Sequence, residues 1–174
     1  MVTGVQTCAL PISMPYYKNG SLQDILQERN LTVREIVKYS LEILSGLYYI
    51  HKKNILHCDI KPSNILIDDY GCAVLADFGS AININHSGVG KLKNVYYKHI
   101  APEQCYSSRV DVRVDIYQFG NTLYRMCNGE EEYNKQVKKS KNMTELKNAI
   151  VNGSFPSRKK YYPQIGRASC RERV

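Results

Sequence analysis

His57-Cys58-Asp59-Ile60-Lys61-Pro62-Ser63-Asn64 places a carboxylate, an ammonium and a carboxamide within six residues, Asp59 to Asn64. Thirteen residues after Asn64 comes Asp77-Phe78-Gly79, and further on Ala101-Pro102-Glu103. Each signal alone is weak. An isolated aspartate is more often a turn or cap residue, and an isolated histidine a satisfied core residue. Their order and spacing carry more. The chemistry they suit is phosphoryl transfer, which asks a protein for positioning and charge compensation rather than covalent help. Asp59 is suited to accept the proton of a hydroxyl and to orient it. Lys61 can reach the transferring group as a point charge. Asn64 offers a neutral oxygen and Asp77 a charged one, the hard donors that Mg²⁺ favours.

Working outward, Ile65-Leu66-Ile67 and Cys72 to Ala76 are two β-type runs around an Asp68-Asp69-Tyr70-Gly71 turn. The hairpin they predict returns Asn64 and Asp77 to the same end. Upstream, Ser21 to Asp24 and Thr32 to Glu35 both have the form of a capping box. The first opens a short helix with Leu22, Ile25 and Leu26 on one face. The second opens a helix over 33–51, in which Val37, Leu41, Leu44 and Tyr48 recur at helical spacing, widened by Ile36 and Leu47. That stripe is expected to face the core. Downstream, Ser80 to Ile100 has no clean period and reads as a long loop. Ile116, Phe119, Leu123 and Met126 predict another helix, with Gly129 as its C-cap. The charged stretch Glu130 to Asn142 reads as a surface linker. Leu146 and Ile150 mark a last helix, ended by Gly153. The fold class expected is mainly α with a small β-hairpin.

The three motifs in this order resemble the catalytic loop, metal-binding loop and activation-segment end of eukaryotic-type (Hanks-type) protein kinases. The resemblance implies a partial kinase C-lobe without its N-lobe, ATP and Mg²⁺ as cofactors, and a protein substrate with a Ser or Thr hydroxyl. It makes Asp59, Lys61 and Asn64 the catalytic set, with Asp59 as base and Asn64 and Asp77 as magnesium ligands. Lys61 resembles the serine/threonine-specific subgroup, and Pro62 fixes the turn beside it. Met14 to Tyr17 resembles the hinge beside the adenine, with Met14 in the gatekeeper place and Leu66 under the ring. Nucleotide contacts are accordingly expected at Met14, Tyr16, Leu66, Lys61, Asn64 and Asp77. Asp115-Ile-Tyr-Gln-Phe-Gly120 resembles the central C-lobe helix, whose aspartate anchors the catalytic loop. Asp115 is therefore taken as structural, as is His57 packed with Phe78.

The chain departs from that pattern in several places. Cys58 stands where most of the family has an arginine that pairs with a phosphate on the activation loop, and a thiol makes no charge-assisted bond to phosphate. This is the non-RD form, and loop phosphorylation is expected not to control activity. Val95 to Ile100 also departs from the usual Gly-Thr-x-x-Tyr-x, with Tyr96 at the Thr place and His99 at the Tyr place. No Gly-rich phosphate loop precedes Met14, and neither the strand lysine nor the helix glutamate of the family is present. Glu103 would normally pair with an arginine beyond Ile150. Residues Val2 to Ile12 and Ile165 to Val174 match the translation of sequencing-adapter ends. The expected division is therefore 1–13 and 165–174 adapter-derived, with 14–164 a partial kinase domain, inactive alone.

Composition adds bounds. The formal charge is +8, and the last ten residues, with three Arg and one Glu, contribute a net +2 of it, leaving +6. Dispersed lysines of this kind fit a solvated surface, and no interleaved aromatics point to nucleic acid. Cys58, Cys72, Cys105 and Cys127 show no CxxC spacing, as expected of free thiols in a reducing compartment. No apolar run approaches a membrane span, and a cytoplasmic location is expected. The alternatives are a pseudokinase-like binding scaffold, which would usually lose one of the base or metal residues, and a small-molecule phosphotransferase, which typically lacks Ala-Pro-Glu and the Asp115 helix.

Overall fold

Two reciprocal caps start the helices that frame the loop 57–64. In the computed structural model, which describes residues 16–92 and 100–156, the Ser21 N–H donates to the Asp24 carboxylate and the Asp24 N–H to the Ser21 hydroxyl. This opens α1 (Leu22–Glu28). Thr32 and Glu35 do the same for α2 (Val33–Lys52). Arg29 adds two bonds to the Glu35 carboxylate and, as the largest cause, draws its pKa down to about 2. At so exposed a site the pair contributes about 1 kcal/mol or less. Because the folded pKa is depressed, that contribution is present above the ordinary carboxylate range and is lost as pH falls towards 2.

After α2 the chain forms β1 (Ile55–Leu56) and passes through the loop to a 3₁₀ turn at Pro62–Asn64. The expected hairpin follows: β2 (Ile65–Ile67) pairs antiparallel with β3 (Ala73–Leu75), Ile65 opposite Leu75 and Ile67 opposite Ala73. Helix α2 grips it. Lys38 Nζ donates to the Gly71 carbonyl at 2.6 Å, and the Ala73 N–H donates to the Glu42 carboxylate at 2.8 Å. The backbone at Gly46 comes so close to β3 that an added Cβ would lie 3.0 Å from Leu75 Cδ1. Two further small pairings follow. β4 (Ile82–Asn83) pairs with β1, and β5 (Gly90–Lys91) with β6 (Arg109–Val110). Helices α3 (Arg113–Asn128), α4 (Glu130–Lys139) and α5 (Met143–Val151) complete the described residues.

The main core joins α1, α2, the hairpin and α3 through residues such as Leu22, Ile36, Ile43, Leu47, Ile65 and Met126. A second cluster, of Ile100, Tyr133, Leu146, Ile150 and Phe155, packs α4 and α5 against the residues around Ala101. Arg125 of α3 is buried where it ion-pairs with Glu130 at 2.6 Å and also donates to the Gln23 side chain, tying α4 and α1 to α3.

The mainly helical class and the hairpin are as expected, and three expectations need correction. First, the face of α2 that enters the core is Ile36, Tyr39, Ile43, Leu47 and Ile50. Val37, Leu41, Leu44 and Tyr48 are exposed, Leu41 and Tyr48 by 61% and 65%. The helix is apolar around most of its circumference, so spacing alone offers two stripes, and contact with the hairpin and α3 selects between them. Second, 130–139 is a helix rather than a linker, held by burial of Tyr133 and Gln136. Third, the stretch from Ser80 is not one loop, because β4 and β5 pair with distant strands. Met14, Tyr96, His99 and the segments 1–13 and 165–174 lie outside the described residues.

The choice of α2 face is measurable by chemical denaturation. Ile43→Ala is expected to lower the unfolding free energy by about 2–5 kcal/mol, and Leu41→Ala by less than about 0.5 kcal/mol. The reverse order would place the other face in the core.

Candidate active site

The loop between β1 and the 3₁₀ turn has few backbone partners of its own, so its polar groups must be satisfied from elsewhere. Helix α3 supplies them. The wholly buried Asp115 carboxylate accepts the N–H groups of His57 at 2.9 Å and Cys58 at 2.7 Å. His51 Nε2 lies 2.8 Å from its Oδ2. One turn along α3, Gln118 accepts the Ile60 N–H at 2.9 Å and donates to the Cys58 carbonyl at 3.0 Å. Between these two clamps Cys58 adopts a left-handed backbone with φ of 63°. That conformation is disfavoured for a residue with a Cβ and persists where the surroundings over-determine it.

The reversal at Cys58 delivers Asp59, which is 5% exposed, into a small polar group. Its Oδ2 accepts from Lys61 Nζ at 2.7 Å and from Asn64 Nδ2 at 2.9 Å. Asn64 Nδ2 also donates to the Asp59 carbonyl at 2.9 Å. Of the residues singled out in the sequence, Lys61 and Asn64 therefore both meet Asp59. Oδ1 of Asp59 makes no hydrogen bond among the described residues, which leaves it able to receive a proton.

Asp77 reaches the same region through Ala76. The Ala76 N–H donates to the Asn64 carbonyl at 2.9 Å, and the Ala76 carbonyl lies 2.9 Å from His57 Nε2. A carbonyl only accepts, so Nε2 carries the proton. The His57 ring packs on Phe78 with centroids 4.7 Å apart, as expected. Asp77 itself is left-handed at φ of 59°, its Oδ1 accepting the Gly79 N–H at 3.2 Å, and its side chain is exposed.

The donor set fits a magnesium–phosphate group. Both Asn64 N–H bonds go to Asp59, so Oδ1, which the Ser63 hydroxyl meets at 3.5 Å, is the amide atom that could face an ion, and the exposed Asp77 carboxylate supplies charge. No cluster of three or more His, Cys, Asp or Glu residues that could hold a metal occurs among the described residues. One amide and one carboxylate match a cation that takes most of its ligands from phosphate and water. Leu66 lies on β2, half-buried, bridged to Ser21 at the start of α1. Tyr16 is 90% exposed at the edge of the described residues and is not drawn into this group. Met14 lies outside them.

Sequence reading missed Gln118, although its place three residues after Asp115 on one helix face was a signal. It also did not foresee the surroundings of Cys58. The side chain sits in an apolar cluster with Leu56, Leu92, Ala101, Val110 and Val114, against which Ile82 and Ile84 pack. Residues on both sides of the activation segment thus meet the position before Asp59 through hydrocarbon. Burial, with smaller effects from the Asp115 and Asp59 charges, pushes the Cys58 thiol up to about 12.

Comparison with known proteins agrees with this geometry. The protein kinase domain family matches residues 5–167. The chain is 32% identical over 143 residues to a probable serine/threonine-protein kinase of Clostridium acetobutylicum, covering 80% of this chain and 22% of that one. It is 36% identical over 108 residues to the serine/threonine-protein kinase mos of Gallus gallus, covering 59% and 31%. It is 32% identical over 154 residues to the mitogen-activated protein kinase kinase SIPKK of Nicotiana tabacum, covering 86% and 43%. The chain belongs to the protein kinase domain family, and spans less than half the length of each of these relatives.

A thiol held protonated is a poor nucleophile. On alkylation at pH 8, followed by mass spectrometry, Cys58 is expected to react at least about tenfold more slowly in the native chain than in the denatured one. Equal rates would show that the cluster does not close over it.

Proposed function

We propose that this site transfers the γ-phosphoryl group of ATP to a serine or threonine hydroxyl of a protein substrate. The observation that carries the reading is the Asp59 carboxylate, with Oδ2 held by Lys61 and Asn64 and Oδ1 without a hydrogen bond among the described residues. Asp59 orients the substrate hydroxyl through Oδ1 and takes its proton as the oxygen bonds to phosphorus and the bond to the ADP oxygen breaks. Lys61, anchored to Asp59, faces the charge that develops on the transferring group. Asn64 and Asp77 are the residues that would hold Mg²⁺, which supplies charge neutralisation on the phosphates when bound. Four free cysteines among the described residues accord with a reducing, cytoplasmic setting, and no described helix is long and apolar enough to cross a membrane.

The same reading makes activity independent of activation-loop phosphorylation. The buried Cys58 thiol, at the place where most of the family has an arginine, offers a loop phosphate no charge-assisted bond. The activation segment is held instead by β1–β4 and β5–β6 pairing and by the Cys58 cluster.

In the full-length protein carrying this segment, Asp59→Asn is expected to lower kcat by about 10²–10⁴-fold in a phosphate-incorporation assay. Retention of full activity would refute the assignment. Ser87→Ala, in the exposed turn before β5, is expected to leave kcat within about twofold, and a large loss would show that the loop is a phosphorylation switch. No Gly-rich loop precedes Met14 in residues 1–174, and the 174-residue chain alone is expected to incorporate no phosphate. Incorporation abolished by Asp59→Asn would overturn that expectation.

A further inference from the structure

We propose that Gln118 is a positioning residue for the catalytic aspartate, acting through the peptide groups on either side of it. Gln118 is 2% exposed and makes two bonds to the loop, one before and one after Asp59. The orientation of its carboxamide is forced, because the Ile60 N–H can only donate and the Cys58 carbonyl can only accept. A carboxamide accepts on one atom and donates on another in fixed geometry, which neither a carboxylate nor a hydrocarbon side chain does. The residue type is therefore matched to the two peptide groups it meets.

The need for this clamp follows from the rest of the loop. Lys61 and Asn64 hold the Asp59 carboxylate from within the same loop. Asp115 fixes His57 and Cys58, upstream of the base. Downstream, the N–H of Ile60 depends on Gln118. The left-handed Cys58 lies directly before Asp59, so release of its carbonyl lets the strained peptide relax and turn the carboxylate away from its direction. Asp115 and Gln118 stand three residues apart on one face of α3 and bracket Asp59 from the same side. The positioning role rests on the proposed phosphoryl-transfer reading, whereas the clamp itself does not.

Two measurements separate these. In the 174-residue chain, Gln118→Met, of similar volume, is expected to speed amide hydrogen exchange at Ile60 by at least about tenfold, while the His57 and Cys58 amides held by Asp115 keep their protection. Unchanged exchange at Ile60, or an equal rise at all three, overturns the clamp. In the full-length protein the same substitution is expected to lower kcat about tenfold with KM for ATP within about twofold. An unchanged kcat, or a change in KM alone, overturns the positioning role. If Gln118→Met fails to fold, Gln118→Asn, one methylene too short to reach both groups, is read in the same way. If the full-length protein transfers no phosphoryl group, the functional reading fails and the exchange result alone decides the clamp.

Discussion

The buried carboxylate of Asp115 is the constraint on which the rest of the site depends. A carboxylate with no exposure is costly unless its oxygens are fully engaged. Here the His57 and Cys58 N–H groups and the His51 ring converge on it. The requirement runs both ways. The carboxylate needs these donors, and the loop amides need an acceptor that no strand provides. Satisfying both fixes α3, the end of α2 and the start of the loop as one unit.

From that unit the order propagates by short steps. Holding His57 places its ring against Phe78 and its Nε2 proton on the Ala76 carbonyl. Ala76 in turn donates to the Asn64 carbonyl, so the residue before Asp77 is fixed by two elements of the site. Holding Cys58 in a left-handed conformation turns Asp59 towards Lys61 and Asn64. The same backbone sends the Cys58 side chain the other way, into hydrocarbon shared with both sides of the activation segment. Asp59, the residues beside Asp77 and the cluster around Cys58 are thus all referred to one helix.

Much of this was legible in the sequence where local chemistry decides. The two capping boxes, the hairpin around Asp68 to Gly71 and the Gly129 cap each depend on residues within one turn, and each forms. Spacing within one loop grouped Asp59, Lys61 and Asn64, and Lys61 and Asn64 both meet Asp59. What could not be read depends on partners distant in sequence. Helix α2 carries two apolar stripes, and only its neighbours choose Ile43 and Leu47 over Leu41 and Tyr48. Helix α4 reads as polar because Tyr133 is almost its only core anchor. β4 and β5 are two residues each, too short to show a period. Gln118 sat in plain view beside Asp115, but its role appears only when the loop is seen folded back onto α3.

The central claim is that the Asp115 carboxylate organises the loop rather than merely occupying the core. Replacing it with a near-isosteric group that donates where it should accept tests this most directly. By chemical denaturation of the 174-residue chain, Asp115→Asn is predicted to lower the unfolding free energy by about 3 kcal/mol or more, since buried donors would face a donor. A midpoint and slope equal to those of the parent chain would contradict the account.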